Sequence, residues 1–69
     1  MTHAAQKRAN REKLVHPKFV EKWARRYLHL SATRGKDVAI VWANEFLNPD
    51  DGDRVAAAVR SIKEGKPVA

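Results

Sequence analysis

Apolar residues first recur at helical spacing in the segment that follows Pro17. They lie one, three and four positions apart, as Phe19, Val20, Trp23, Tyr27 and Leu30. This spacing places them along one face of an α-helix. Proline suits the first helical turn, because its missing N–H would have no partner there. The pattern predicts a first helix over residues 17–30.

A nearly continuous apolar run marks the second predicted helix. Residues 38–43 read Val-Ala-Ile-Val-Trp-Ala, and Phe46 and Leu47 continue the helical period. A strand fits less well, because no partner strand is available. The run therefore predicts a helix over residues 35–47, with Ser31 or Thr33 available as a cap. A helix that is apolar on every side must be covered on more than one side, so we expect it at the centre of the fold.

The third predicted helix has the clearest start signal. Asn48 suits the N-cap position, Pro49 suits the first helical position, and the following aspartates complement the positive end of the helix dipole. Its apolar face consists of Val55, Ala58, Val59 and Ile62. Gly65 is a typical helix terminator. These signals predict a helix over residues 49–64.

The first 16 residues have a different character. Good helix formers dominate, but apolar residues that can hold a helix in place occur only near the end of the segment, at Leu14 and Val15. We therefore predict a basic N-terminal arm over residues 1–16 that is partly disordered or a frayed helix. The fold class is predicted to be all-α, with a small three-helix domain over residues 17–69.

The small size of the chain predicts that it associates with itself. A domain of 69 residues buries only about 60% of its unfolded surface, and no cysteine is present to add a disulfide. A second subunit is the remaining common support, so we expect a homodimer packed around the second predicted helix. The candidate residues for a dimer or partner interface are Ile40, Trp42, Phe46 and Val59.

Charge is distributed unevenly along the chain. Residues 1–36 contain ten lysines and arginines against two acids, a net charge of +8. Residues 37–69 contain four basic and six acidic residues, a net charge of −2, which gives the total of +6. A one-sided positive field predicts an anionic partner, either nucleic acid or an acidic protein surface.

The basic residues of the first predicted helix lie opposite its apolar face. Lys18, Lys22, Arg25 and His29 recur at i, i+4, i+7 and i+11. Further positive charge comes from the arm and from the segment after this helix. The complete set of predicted nucleic-acid-binding residues is Lys7, Arg8, Arg11, Lys18, Lys22, Arg25, Arg26, Arg34 and Lys36. A helix-turn-helix is disfavoured, because aspartates open the helix that would enter the groove of DNA.

Other function classes have little support in the sequence. The three histidines are 13 residues apart and lack neighbouring ligands, and no glycine-rich phosphate loop is present. We therefore expect no catalytic residue, metal, cofactor or small-molecule substrate. No apolar stretch reaches the roughly 18 residues of a membrane span, so we expect a cytoplasmic protein without a membrane partner.

Two functions remain. The first is a small nucleic-acid-binding accessory or regulatory protein that contacts the phosphate backbone through the first predicted helix and the arm. The alternative is a protein-interaction module, such as a small inhibitor or adaptor. In that case the basic face and exposed apolar helix surface bind and modulate another protein.

Overall fold

The computed structural model describes residues 3–67 of the chain. These residues form four α-helices and no strand, which confirms the all-α class. The helices are α1 (His3–Lys13), α2 (Pro17–Arg34), α3 (Lys36–Phe46) and α4 (Pro49–Lys63). The three helices predicted from periodicity correspond to α2, α3 and α4.

Helix α2 extends one turn beyond its predicted end. It continues to Arg34, so Ser31 and Thr33 lie inside α2 and neither caps α3. The Thr33 Oγ1 hydroxyl donates a hydrogen bond of 2.8 Å to the carbonyl of His29, four residues earlier. This bond is the usual way for a helical threonine to satisfy its hydroxyl. The predicted helices left residues 31–34 between them, whereas in the structure a single residue, Gly35, separates α2 from α3.

Gly35 makes the turn between α2 and α3 possible. Its backbone has φ 102° and ψ 153°, a region that is accessible almost only to glycine. A Cβ built on Gly35 would meet no atom within 4 Å. The backbone conformation, and not lack of space, therefore requires glycine here.

Replacing Gly35 with alanine is expected to lower the free energy of unfolding by about 1–3 kcal/mol, because a Cβ strains this conformation. Gly52→Ala is the matched control. Gly52 lies inside α4 with open space around it, so alanine there should raise stability by up to about 1 kcal/mol. Urea denaturation followed by circular dichroism measures both. Equal effects of the two substitutions would contradict the role of the turn.

The hydrophobic core lies mainly between α2 and α4. Its buried residues are Leu14, Val20, Ala24, Leu47, Val55, Ala58 and Val59. Helix α2 packs against both α3 and α4, whereas α3 and α4 contact each other much less. The central helix is therefore α2, and not the most apolar helix, α3, as the sequence led us to expect.

Helix α3 buries one side only. Ala39 is fully buried, but Val38, Ile40 and Val41 are 44%, 39% and 56% exposed. Helices α2 and α1 both pack on α3, and they leave Val38 and Val41 exposed. The exposed valines are where a second subunit or a partner would find apolar surface. Homodimer formation around α3 stays a prediction.

Helix α1 packs on the rest of the domain through a few buried contacts. It lies against α3, and Asn10, only 3% exposed, donates a hydrogen bond of 2.7 Å to the carbonyl of Phe46. Leu14, just after α1, is fully buried in the core. The sequence predicted a basic arm over residues 1–16 that is partly disordered or a frayed helix, and residues 1 and 2 of it lie outside the described range. Residues 3–13 form a helix that Asn10 and Leu14 hold against the domain, and fraying of this helix stays a prediction.

Helix α4 begins at Pro49, as the sequence signals predicted. Asn48 occupies the N-cap position with extended backbone, but its side chain makes no capping hydrogen bond. Asp51 is buried, with Oδ1 3.9 Å from the Arg54 guanidinium, whereas Asp50 and Asp53 are exposed. The first-turn aspartates remain well placed to interact with the positive end of the helix dipole.

Candidate nucleic-acid interface

The outer face of α2 carries four exposed basic side chains: Lys18, Lys22, Arg25 and His29. The buried residues Val20 and Ala24 lie on the other side of the same helix. The four side chains extend over 11 residues, or about 16 Å of helix length. We refer to these four residues as the α2 basic face.

One acid lies beside the α2 basic face. Glu21 Oε1 is 3.6 Å from the Arg25 guanidinium, in an exposed pair with side chains 43% and 62% accessible. Exposed ion pairs of this type contribute little and are readily exchanged for another anion. Lys22 forms no ion pair with any described residue. The face therefore keeps most of its positive charge.

Arg26 lies at the shoulder of α2, next to α3. Its guanidinium is 5.9 Å from the centre of the Trp42 ring. Trp42 in turn stacks on Trp23, with ring centres 4.9 Å apart and planes inclined by 24°. This stack joins α2 to α3, so the tryptophans pack against each other within the fold. Arg26 contributes charge at the edge of the α2 basic face and also covers this aromatic contact.

The remaining predicted nucleic-acid residues fall into separate places. Arg8 and Arg11 are exposed on α1, and Arg34 is exposed at the end of α2. Lys7 and Lys36, by contrast, line a groove on the opposite side of α2. Tyr27 of α2 also lines that groove. It follows Lys18 by nine residues, or about two and a half helical turns, so the two side chains lie on opposite sides of α2. The structure thus separates Lys7 and Lys36, which line the groove, from the residues of the α2 basic face.

The groove lies between α3 and α4, over the inner side of α2, and is an open depression with a volume of about 800 Å³. Its floor is apolar and includes the buried side chains of Leu47, Val55 and Val59. Four cations surround it: Lys7, Lys36, Arg60 and Lys63. Arg60 and Lys63 were not among the predicted binding residues, because they belong to residues 37–69, where acidic residues outnumber basic ones. Their i, i+3 spacing on one face of the third predicted helix was the available signal.

The predicted interface residues are not equally accessible. Ile40 is 39% exposed and lines the groove. Trp42 is half-buried in its stack, and Phe46 is half-buried next to Asn10, which binds its carbonyl. Val59 is only 7% exposed and belongs to the core. The most exposed apolar side chains of α3 are instead Val38 and Val41.

Two further properties concern the described residues 3–67. Within this range no three His, Cys, Asp or Glu side chains are grouped so that they could hold a metal ion. None of the four helices in the same range combines the length and the apolar character that crossing a bilayer requires.

These features define a small all-helical protein with a basic face on the outside of α2 and a cation-lined groove on the other side of the same helix. No protein-family model matches the chain, and no curated protein or solved structure is significantly similar to it. The chemistry of these two surfaces is therefore the indication of what the protein binds.

Proposed function

We propose that this chain is a small nucleic-acid-binding accessory or regulatory protein, without catalytic activity, that contacts the phosphate backbone through the α2 basic face. The observation that carries the proposal is the alignment of Lys18, Lys22, Arg25 and His29 on one exposed face, with Glu21 as the neighbouring acid. Arg26 and Arg34 on α2, and Arg8 and Arg11 on α1, supply further positive charge.

The dimensions of the face suit a row of phosphates. Each strand of duplex DNA presents one phosphate for about every 3.4 Å of the duplex axis, so a face about 16 Å long spans several of them. One helix fixes the backbone positions of these residues, so binding orders only their side chains and no backbone. Such contacts position the protein on the backbone and do not by themselves read sequence.

The aromatic residues favour backbone contact over base stacking. Proteins that bind single strands through stacking present aromatic rings to the bases. In this protein Trp23 and Trp42 are half-buried and stacked on each other, and Phe19 packs against the core. The residues exposed on the α2 basic face are lysine, arginine and histidine, which suit phosphate oxygens.

Fluorescence anisotropy with labelled duplex DNA, duplex RNA and single strands tests the proposal. Binding should weaken steeply as salt is raised, with a log–log slope near −0.9 for each duplex phosphate contacted. Absence of binding to every probe at low salt would exclude this function.

The exposed apolar surface of α3 favours a second candidate, a protein-interaction module such as a small inhibitor or adaptor. Val38 and Val41 present this surface, and a homodimer would cover it equally well. Light scattering distinguishes a dimer from the 7.8 kDa single chain. A pull-down that gives one dominant partner after nuclease treatment would favour the protein-interaction module over nucleic-acid binding.

A further inference from the structure

The groove between α3 and α4 has a composition that the proposed nucleic-acid function does not use. Its accessible apolar surface comes from the partly exposed Ile40 and the exposed Ala56, and the nearly buried Leu47, Val55 and Val59 form its aliphatic floor. Tyr27 is the one aromatic residue among its lining side chains. An aliphatic surface of this kind suits leucine or isoleucine side chains far better than it suits nucleic-acid bases.

The charges around the groove are strongly one-sided. Lys7, Lys36, Arg60 and Lys63 line it, against the single acid Asp53. None of the four cations forms an ion pair with a described residue. Arg60 and Lys63 lie in the last turn of α4, where the helix dipole favours positive charge. Lys36 opens α3, where the dipole disfavours it, so helix stability does not account for its charge.

We propose that this groove binds an amphipathic helix of a partner protein, with its apolar side on the aliphatic floor and acidic side chains paired with the cationic rim. Helices α3 and α4 both pack on α2 but contact each other little. The space between them resembles the position of a missing helix in a helical bundle. Residues from Pro49 to Lys63 line the groove, which corresponds to about 22 Å of helix and a ligand of about four turns.

Charge complementarity selects an acidic partner over a second copy of this chain. A second copy of this chain carries a net charge of +6 and therefore complements this cationic rim less well than an acidic helix does. Tyr27 in the groove and Lys18 on the α2 basic face lie on opposite sides of α2, so the two surfaces can be occupied at once. Binding of a helix in the groove thus does not depend on nucleic-acid binding.

A designed peptide tests the proposal. The probe is a fluorescein-labelled helix of about 15 residues with leucine at i, i+3, i+4 and i+7 and glutamate on the flanks. The same peptide with lysine in place of glutamate, and a scrambled acidic peptide without an apolar face, are the comparison probes. The amphipathic acidic peptide should bind saturably, and each comparison peptide should bind at least about tenfold more weakly.

Two adjacent residues of α3 provide a matched pair of variants. Ile40 lines the groove, whereas Val41 is not among its lining residues, and both are exposed enough to accept a glutamate without loss of the fold. Ile40→Glu should weaken peptide binding at least about tenfold, and Val41→Glu should leave it within about twofold. The double variant Lys36→Glu/Lys63→Glu should also reduce binding about tenfold, and circular dichroism confirms that each variant remains helical.

The remaining results each decide against the proposal. Lack of saturable binding, equal loss in Ile40→Glu and Val41→Glu, or binding of oleate but not of the peptide would overturn it. Displacement of the peptide by unlabelled duplex DNA would show that the surfaces are not separate.

Replacing Lys18, Lys22 and Arg25 with alanine should leave peptide affinity unchanged, so failure of the nucleic-acid function and failure of the groove are distinguishable.

Discussion

Replacing Lys18, Lys22 and Arg25 with alanine is expected to weaken nucleic-acid binding by about 500-fold at 0.1 M salt. Each lost duplex phosphate contact makes the slope of log affinity against log salt concentration less negative by about 0.9. Between 1 M and 0.1 M salt, loss of three contacts therefore lowers log affinity by about 2.7. The loss should be similar for all duplex sequences, since phosphate contacts carry no base information. Fluorescence anisotropy over a series of salt concentrations measures the affinity and the slope together.

The matched control removes the same amount of charge from another surface. Arg60, Lys63 and Lys66 lie on and after the last turn of α4, and their replacement by alanine also lowers the net charge by three. This variant should lose much less affinity than the α2 variant, and its salt slope should stay close to that of the parent protein. If both triple variants lose affinity equally, net charge and not the α2 basic face governs binding.

Leu14→Ala is expected to lower the free energy of unfolding by about 2–5 kcal/mol. Leu14 is fully buried, and its truncation leaves a cavity among the core residues of α2 and α4. The total stability of a domain this small is about 3–10 kcal/mol, so the substitution removes a large share of it. Urea denaturation followed by circular dichroism gives the difference directly.

Val15→Ala is the control for Leu14→Ala. Val15 is the next residue but is 68% exposed, so its truncation should change stability by less than about 0.5 kcal/mol. A frayed arm that does not pack on the domain would instead give small and similar effects for both variants. The comparison therefore tests whether the end of α1 belongs to the core.

The positions of α2, α3 and α4 were predictable because their signals are local. Pro17 and Pro49 begin helices in the structure as the sequence indicated. The one large error in a boundary concerns the end of α2, where Ser31 and Thr33 resemble capping residues in the sequence. Helical structure continued past them because a helical threonine can bond its own preceding turn, and Gly35 supplied the actual break.

The candidate site was predictable only in part. The α2 basic face follows from the i, i+4, i+7 spacing of its lysines and arginine, which a single helix displays by itself. The groove did not follow, since its cations come from α1, α3 and α4 and are separated by up to 56 positions in sequence, from Lys7 to Lys63. In the sequence, Arg60 and Lys63 belong to residues 37–69, where acidic residues predominate. In the fold they line the same groove as Lys7 and Lys36.

The sequence by itself determined the helical class, the positions of three helices and the α2 basic face, because each depends on residues within a few turns of one another. The tertiary structure decided that α2 and not α3 is central, that residues 3–13 form a helix anchored by Asn10, and that four distant cations surround one groove. These outcomes depend on how whole helices pack against one another. The arrangement that buries the most apolar surface is decided over the whole domain, and it leaves no local pattern in the sequence.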